Sequence, residues 1–519
     1  PQGWNGFNDN CSWNDIDFKK ATKVVTNLQR RIAKAAKIGD WKVVKKLQLL
    51  LINSTSAKIL AIKQVTENRG KRTPGVDGET WLTSEAKAEA IGRMVINGYK
   101  PAPLRRIYIP KPGKKEKRPL GIPTMLDRAM QALFNFALDP MVESRSDKNS
   151  YGFRKHRSAK DAIDRVYRIF KESKTGSGPR WCLEGDIRGC FDNISHDWLI
   201  RHIPFQRKIF WKWFKAGYIF KDELFPTDSG TPQGGIISPT LANMALNGLE
   251  RELEKRFTGN LDGTEIGKRN AVKTQKYGIN YVRYADDFVI SAKSRDVLQD
   301  EVIPLIKKFL EPRGLELSGT KTLITDKLRG FDFLGYNVRM SRNREVKMKR
   351  YRLHVRPKKA NIKKIKDNIS SVLKPGMSPF DGITLANQRI RGWSNYYKDV
   401  FSSKDFSALD HWLYYRMIRF LKRSTGKSIG YIMDKHVRTV SGQKWRFIAE
   451  KKKEKSTRSI MLLKFSNFKA GYGSYPILDM KHNAYLDDAD YVKTLIKRFN
   501  GRWTSLSQNI RRMFINQGF

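Results

Sequence analysis

The sequence predicts an α+β protein of several domains. Strand and helix signals alternate as far as about residue 338. The 519 residues exceed the ~250–300 at which one hydrophobic core stops growing. With 39% hydrophobic and 11% aromatic residues, the chain can build packed cores. Residues 17–68 read as helices: Asp17 is placed as an N-cap, Leu28 and Ile32 share a face, and Gly39-Asp40 breaks the run before a second amphipathic stretch to about Asn68. Ile107-Tyr108-Ile109 and Leu120-Gly121-Ile122 read as two strands flanking a tip from Lys111 to Arg118 that carries five cations. There follow a helical run near 125–142, a short apolar strand ending at Asp186, a helix near 196–215 and another after Pro239. The polar, Gly-rich stretch Thr258–Gly278 reads as an inserted loop. A hairpin spans Tyr281–Ile290, and a last set of strands runs to about 338.

Beyond that point the composition changes. Residues 339–366 hold 13 Lys or Arg and one acid, Glu345, a density that exceeds what a solvated face needs. Three helical stretches come next, near 358–373, 383–398 and 406–423, with Ile390, Trp393, Tyr396 and Tyr397 forming a core stripe. Residues 431–519 are basic and aromatic, with a charged break at Lys451–Lys455. Over the whole chain 101 Lys and Arg face 51 Asp and Glu, a formal charge of +50. Such an excess calls for a polyanionic partner. A membrane surface is excluded in favour of nucleic acid, because no run of about 18 apolar residues and no signal or lipidation motif occurs. Three cysteines without a C-x-x-C pair point to a reducing compartment, a bacterial cytoplasm or an organelle matrix. The absence of an initiator Met before Pro1 implies a processed or incomplete start.

The hairpin carries the chemistry. Asp286 and Asp287 sit between two apolar, β-prone runs, where adjacent carboxylates are costly unless a cation offsets their desolvation. Asp186 ends another apolar strand and supplies a third acid. Mg²⁺ takes one or two carboxylates plus phosphate oxygens. Two such ions about 3.5–4 Å apart clamp the oxygens of a phosphoryl transfer. An isolated Asp-Asp pair is usually a solvated turn; the flanking strands and the second motif argue against that here. No Ser-His-Asp or Cys-His arrangement stands out among the seven histidines.

Tyr284-Ala285-Asp286-Asp287, with Asp186 upstream and Phe191 five residues after it, resembles the palm of a reverse transcriptase. Five further motifs occur in the order of the group II intron-encoded subfamily, the maturases: Thr73–Gly78, Arg118–Pro123, Tyr151–Arg154, Gly230–Gly235 and Phe333–Tyr336. The similarity covers roughly residues 20–430. It implies a right-hand polymerase with a helical N-terminal extension (1–70), fingers and palm (71–338), a three-helix thumb or domain X (339–430) and a basic DNA-binding domain (431–519). The resemblance also implies that Asp186, Asp286 and Asp287, with the Ile187 carbonyl, hold two Mg²⁺ ions. A primer 3′-hydroxyl would then attack the α-phosphorus of a dNTP.

Lys111 and Arg118 correspond to triphosphate-gripping positions. Phe191 matches the aromatic that excludes a ribonucleotide 2′-hydroxyl, with a palm-core Phe as the alternative. Gln233, in a Gly- and Pro-rich turn, is placed to reach the nucleotide sugar or the template. Lys321 is either a triphosphate or primer contact or an ordinary surface lysine. Arg350, Arg352, Arg356 and Lys358 read as a phosphate track. The expected partners are group II intron RNA, target DNA and an RNA template with primer and dNTPs, serving splicing and target-primed retrohoming. Another bacterial reverse transcriptase, of the retron or defence kind, is the alternative enzyme. A purely RNA-binding splicing factor is the non-enzymatic alternative, disfavoured because all three acids remain. The basic, amphipathic segment Gln508–Phe519 leads to the expectation that the native protein continues into a Cys-pair HNH endonuclease.

Overall fold

A computed structural model describes residues 12–500 apart from 111–116, 172–177, 232–233, 260–270, 343–350, 441, 454–455, 469–470, 473–474, 479–481 and 487–488. Lys111, Gln233, Arg350 and the Gln508–Phe519 segment therefore lie outside the described residues. The chain forms two compact units. The first comprises the described residues up to Ala162, with Leu183–Ile324 and Leu478–Phe499; the second comprises Ile163–Cys182 and Thr325–Ile477.

The first unit is built around the helix Met125–Arg145, most of which is buried. Helices Phe18–Ile38, Trp41–Asn53 and Thr55–Glu67 pack on it. Asp17 caps the first through the Lys19 and Lys20 N–H groups, and Gly39 ends it in the left-handed region at φ 81°. The second expected stretch is two helices, because Ser54 leaves the helical path with φ −72° and ψ 126°. Pro140 sits inside the central helix and cannot donate to the carbonyl one turn back. Gln29 Nε2 donates to that Phe136 carbonyl at 2.9 Å instead, and Gln48 Nε2 to Ala137 O at 3.0 Å. The N-terminal helices thus repair a defect in the core helix.

Strands Leu104–Pro110 and Lys117–Ile122 pair antiparallel, and the four-stranded sheet they belong to also holds Tyr218–Phe220 and Glu223–Phe225. The second sheet has the order Asn280–Tyr284, Asp287–Ala292, Trp181–Gly185, Leu323–Asp326. The helix expected over 196–215 is two, His196–His202 and Arg207–Phe214, parted by Pro204 and by Gln206 at φ 49°. Within the expected Thr258–Gly278 loop, Ala271–Tyr277 is a short helix.

In the second unit, Phe331–Phe333, Tyr336–Arg342 and Tyr351–Pro357 form a sheet. Helices Lys359–Val372, Pro379–Tyr397 and Ser403–Thr425 follow, close to the three stretches read from sequence. Leu334 and Gly335 turn the Phe333–Tyr336 motif at φ 49° and 81°, and a Cβ on Gly335 would lie 2.7 Å from Asn361 Nδ2. The hydroxyls of Tyr396 and Tyr397 donate to the Leu334 and Gly335 carbonyls, so the motif anchors these helices. Residues 431–500 do not pack as one piece. Val437–Val440, Gln443–Lys453 and Ser456–Met461 form a sheet in the second unit, whereas the described residues of Leu478–Phe499 belong to the first.

Candidate active site

Tyr284 pairs with Asp287, so Ala285 and Asp286 are the two residues of a tight turn. Ala285 adopts φ 58°, a conformation an alanine takes at some cost. What holds it is local. Arg283, 1% exposed, donates to the Ala285 carbonyl at 3.1 Å, Asn243 Oδ1 at 3.0 Å and Asn247 Oδ1 at 3.0 Å. Residues 149–151 lie alongside: Arg283 N donates to Asn149 O and Tyr151 N to Arg283 O, each at 2.9 Å. Gly152 then passes so close that a Cβ there would lie 2.2 Å from Ala285 N. Arg154 of the same motif is spent internally, on a buried ion pair with Glu143 at 2.7 Å and on the Asp147 and Ser150 carbonyls.

Beneath the acids, the Phe288 ring lies against Gly185, where a Cβ would meet it at 2.2 Å. Asp186 follows directly. Its carbonyl accepts from Ser318 N at 2.8 Å, and Arg188 N donates to Glu316 O at 2.9 Å. Ile187 and Leu317 are therefore an antiparallel pair without mutual hydrogen bonds. The Ile187 carbonyl consequently points to the other side of its strand, where Asp287–Ala292 lies.

The carboxylates sense one another. Burial, then the charges of Asp286 and Asp186, push the Asp287 carboxyl up to about 7. Burial and the Asp186 charge also raise Asp286, opposed by Lys321 and Arg118. Lys321 Nζ lies 2.5 Å from Asp186 Oδ2, and that carboxylate holds its ammonium charged to higher pH. Acids that repel each other, next to an inward-turned carbonyl, offer the oxygen donors that a hard divalent cation takes. Among the described residues, no three His, Cys, Asp or Glu side chains converge at metal-ligand spacing.

Of the other expected residues, Arg118 is exposed at the start of its strand opposite Ile109, within electrostatic reach of Asp286. Phe191 is half-buried and meets Phe153 edge-on at 5.9 Å. Its carbonyl accepts from Thr231 N at 2.6 Å. Gly230 and Gly234 permit the 230–235 turn to touch both neighbours: a Cβ on either would lie 2.5 Å from Asp192 O or 2.7 Å from Gly121 O. Gly230 thus lies against the Phe191 segment and Gly234 against the Arg118 strand. The basic stretch is less free than its charge suggests. Arg356 forms a two-point pair with Asp405 (2.8 and 3.1 Å), Lys358 pairs with Asp332 at 2.9 Å, and Arg352 stacks over Phe401 at 5.0 Å.

Arg283, Gly152 and Gly185 were not singled out from sequence. Arg283 carried a signal, a charge inside an apolar strand two residues from the acids; the glycines become informative only once their neighbours are known.

A strand-end aspartate beside a carboxylate hairpin is consistent with the palm of a polymerase. In agreement, residues 109–338 match the profile described as reverse transcriptase (RNA-dependent DNA polymerase), and residues 13–94 match the N-terminal domain of reverse transcriptase. Residues 362–440 match the group II intron, maturase-specific domain. The group II intron-encoded protein LtrA of Lactococcus lactis subsp. cremoris is 32% identical over 445 residues, 72% of this chain and 73% of that protein. YkfC of Escherichia coli K12 is 32% identical, over 63% of this chain and 91% of its own length. Maturase-like protein 1 of Euglena gracilis is 25% identical, over 80% and 78%. The chain belongs to the group II intron-encoded reverse transcriptase and maturase family. No described helix is long and apolar enough to cross a membrane.

Proposed function

We propose that the chain copies RNA into DNA at Asp186, Asp286 and Asp287, and that it binds its group II intron RNA for splicing and for target-primed retrohoming into DNA. The observation that carries this reading is the approach of Asp286 and Asp287 to Asp186, close enough for its charge to raise both, within a reverse transcriptase domain. The three carboxylates and the Ile187 carbonyl would hold two Mg²⁺ ions. When bound, these supply the charge that stabilises the attacking and leaving oxygens of an in-line transfer. The primer 3′-oxygen bonds to the α-phosphorus and pyrophosphate leaves.

The chain's own residues position the reactants. Arg118, together with Lys111, offsets the triphosphate charge. Phe191, propped by Phe153, lies under the sugar and clashes with a 2′-hydroxyl. Gln233, between Gly230 and Gly234 in the sequence, reaches the sugar or template. Lys321 neutralises Asp186 in the free enzyme and is near enough to turn toward a phosphate. The three helices after Lys358 act as the thumb. Arg350, Arg352, Arg356 and Lys358 line an RNA backbone, Arg356 and Lys358 from positions fixed by Asp405 and Asp332.

Asp186→Asn tests the assignment, since it keeps the shape and removes the charge. Primer extension on an RNA template should fall more than a hundredfold while intron RNA binding stays within threefold. Unchanged extension would remove Asp186 from the site.

A further inference from the structure

A cavity of about 380 Å³ lies far along the chain from the acids, in the second unit between the helix Ser403–Thr425 and the strand Gln443–Lys453. Tyr414, Tyr415, Trp445 and Phe447 line it, with Arg446 and Lys464. We propose that it is a base-stacking pocket that takes one unpaired nucleobase of the intron RNA; this deepens, and rests on, the RNA-binding role proposed above.

Three observations converge. The first is exposure: Tyr415 and Trp445 leave 52% and 53% of their surface open, an unusual state for two large rings flanking one cavity. The second is the backbone. Arg438 pairs with Arg446 and Val440 with Gln443, so the second strand carries one extra residue between these pairs. Trp445 lies in that bulge at φ 61°, a conformation a bulky residue adopts only when the surroundings enforce it. The bulge turns the indole toward the cavity instead of continuing the ladder. The third is charge. Among the described lining residues Asp410 is the one acid, and its carboxylate is occupied by Phe465 N at 2.6 Å and Ser466 N at 3.1 Å. Arg446 and Lys464 leave the wall positive, and Arg419, exposed one turn beyond, is tied to the Tyr415 carbonyl at 3.3 Å.

Exposed rings over an apolar floor with cations at the rim suit a base and its phosphate; aromatic stacking of this kind is sequence-tolerant. A peptide would find no free acceptor among the lining carboxylates. RNA is favoured over DNA because the Asp410–Tyr415 wall lies inside the maturase-specific segment 362–440.

The test uses the full chain and a short unstructured RNA carrying one 2-aminopurine, whose fluorescence falls on stacking. Wild type should quench it. Trp445→Ala combined with Tyr415→Ala should abolish the quench and weaken binding about ten- to hundredfold. The slope of log affinity against log salt should be unchanged, since no phosphate contact is lost. Lys464→Gln with Arg419→Gln should instead flatten that slope, by about 0.7 per contact. Trp445→Phe, which keeps a ring, should bind within about threefold of wild type. The proposal is overturned if the double alanine variant binds and quenches normally, if Trp445→Phe is as weak as alanine, or if DNA of the same sequence binds and quenches better than RNA. Primer extension by the wild-type protein, measured alongside, separates failure of the pocket from failure of the polymerase reading.

Discussion

Gly152→Ala should disable synthesis from a position that touches no substrate. The added Cβ would lie 2.2 Å from Ala285 N, 2.9 Å from Ala285 Cα and 3.0 Å from the Tyr284 carbonyl carbon. Ordinary contact begins near 3.4 Å, so one side must yield by about 1.2 Å. The Gly152 side is pinned by Tyr151 N on Arg283 O, by Asn243 Nδ2 on Gly152 O at 2.9 Å, and by the Arg154–Glu143 pair. The turn at Ala285, already at positive φ, gives way instead and carries Asp286 and Asp287 with it. A displacement of about 1 Å at reacting groups costs roughly a hundredfold in rate. Overpacking costs about 1–3 kcal/mol of stability, small enough to leave a folded protein. The assay is single-nucleotide incorporation on an RNA template, with urea unfolding and RNA binding in parallel. We expect kcat down about a hundredfold with RNA affinity retained. A variant that incorporates within threefold of wild type would show that the tip tolerates displacement, and would refute the positioning argument.

Phe191→Ala should admit ribonucleotides, and Phe191→Tyr should change selectivity little; equal dNTP-to-rNTP discrimination in wild type and the Ala variant would make Phe191 a packing residue only. A pH effect follows from Asp139, whose carboxyl burial raises to about 6 although Tyr485 donates to it. An acid with a raised folded pKa contributes stability fully below its unfolded value near 4 and loses it as pH rises to 6. Asp139→Asn should therefore flatten the stability profile between pH 4 and 6, by at most about 3 kcal/mol. Parallel unfolding curves for the two proteins across that range would contradict it.

The carboxylate pair at the hairpin tip was legible because adjacent carboxylates in apolar, β-prone sequence are an anomaly that local composition exposes. So were the caps at Asp17 and Gly39 and the ribbon 104–122, all set by residues a few positions apart. What sequence hid was set by distant partners. Arg356 and Lys358 look like free cations until Asp405 and Asp332 arrive beside them. Gly152 and Gly185 look like any glycines until Ala285 and Phe288 close on them. The break at Ser54 escaped because the apolar pattern continues through it while the backbone does not. Lys321, left open between phosphate contact and surface residue, is paired with Asp186, a partner 135 positions away.

The central claim is that carboxylates at the hairpin tip perform RNA-templated DNA synthesis, separately from the holding of intron RNA. Its most direct test is primer extension on an RNA template by the Asp286→Ala, Asp287→Ala double variant, with intron RNA binding and splicing measured on the same preparation. We expect synthesis below about a thousandth of wild type, roughly 4 kcal/mol of transition-state stabilisation, with binding and splicing intact. Synthesis above that level would contradict the assignment of these acids to the reaction.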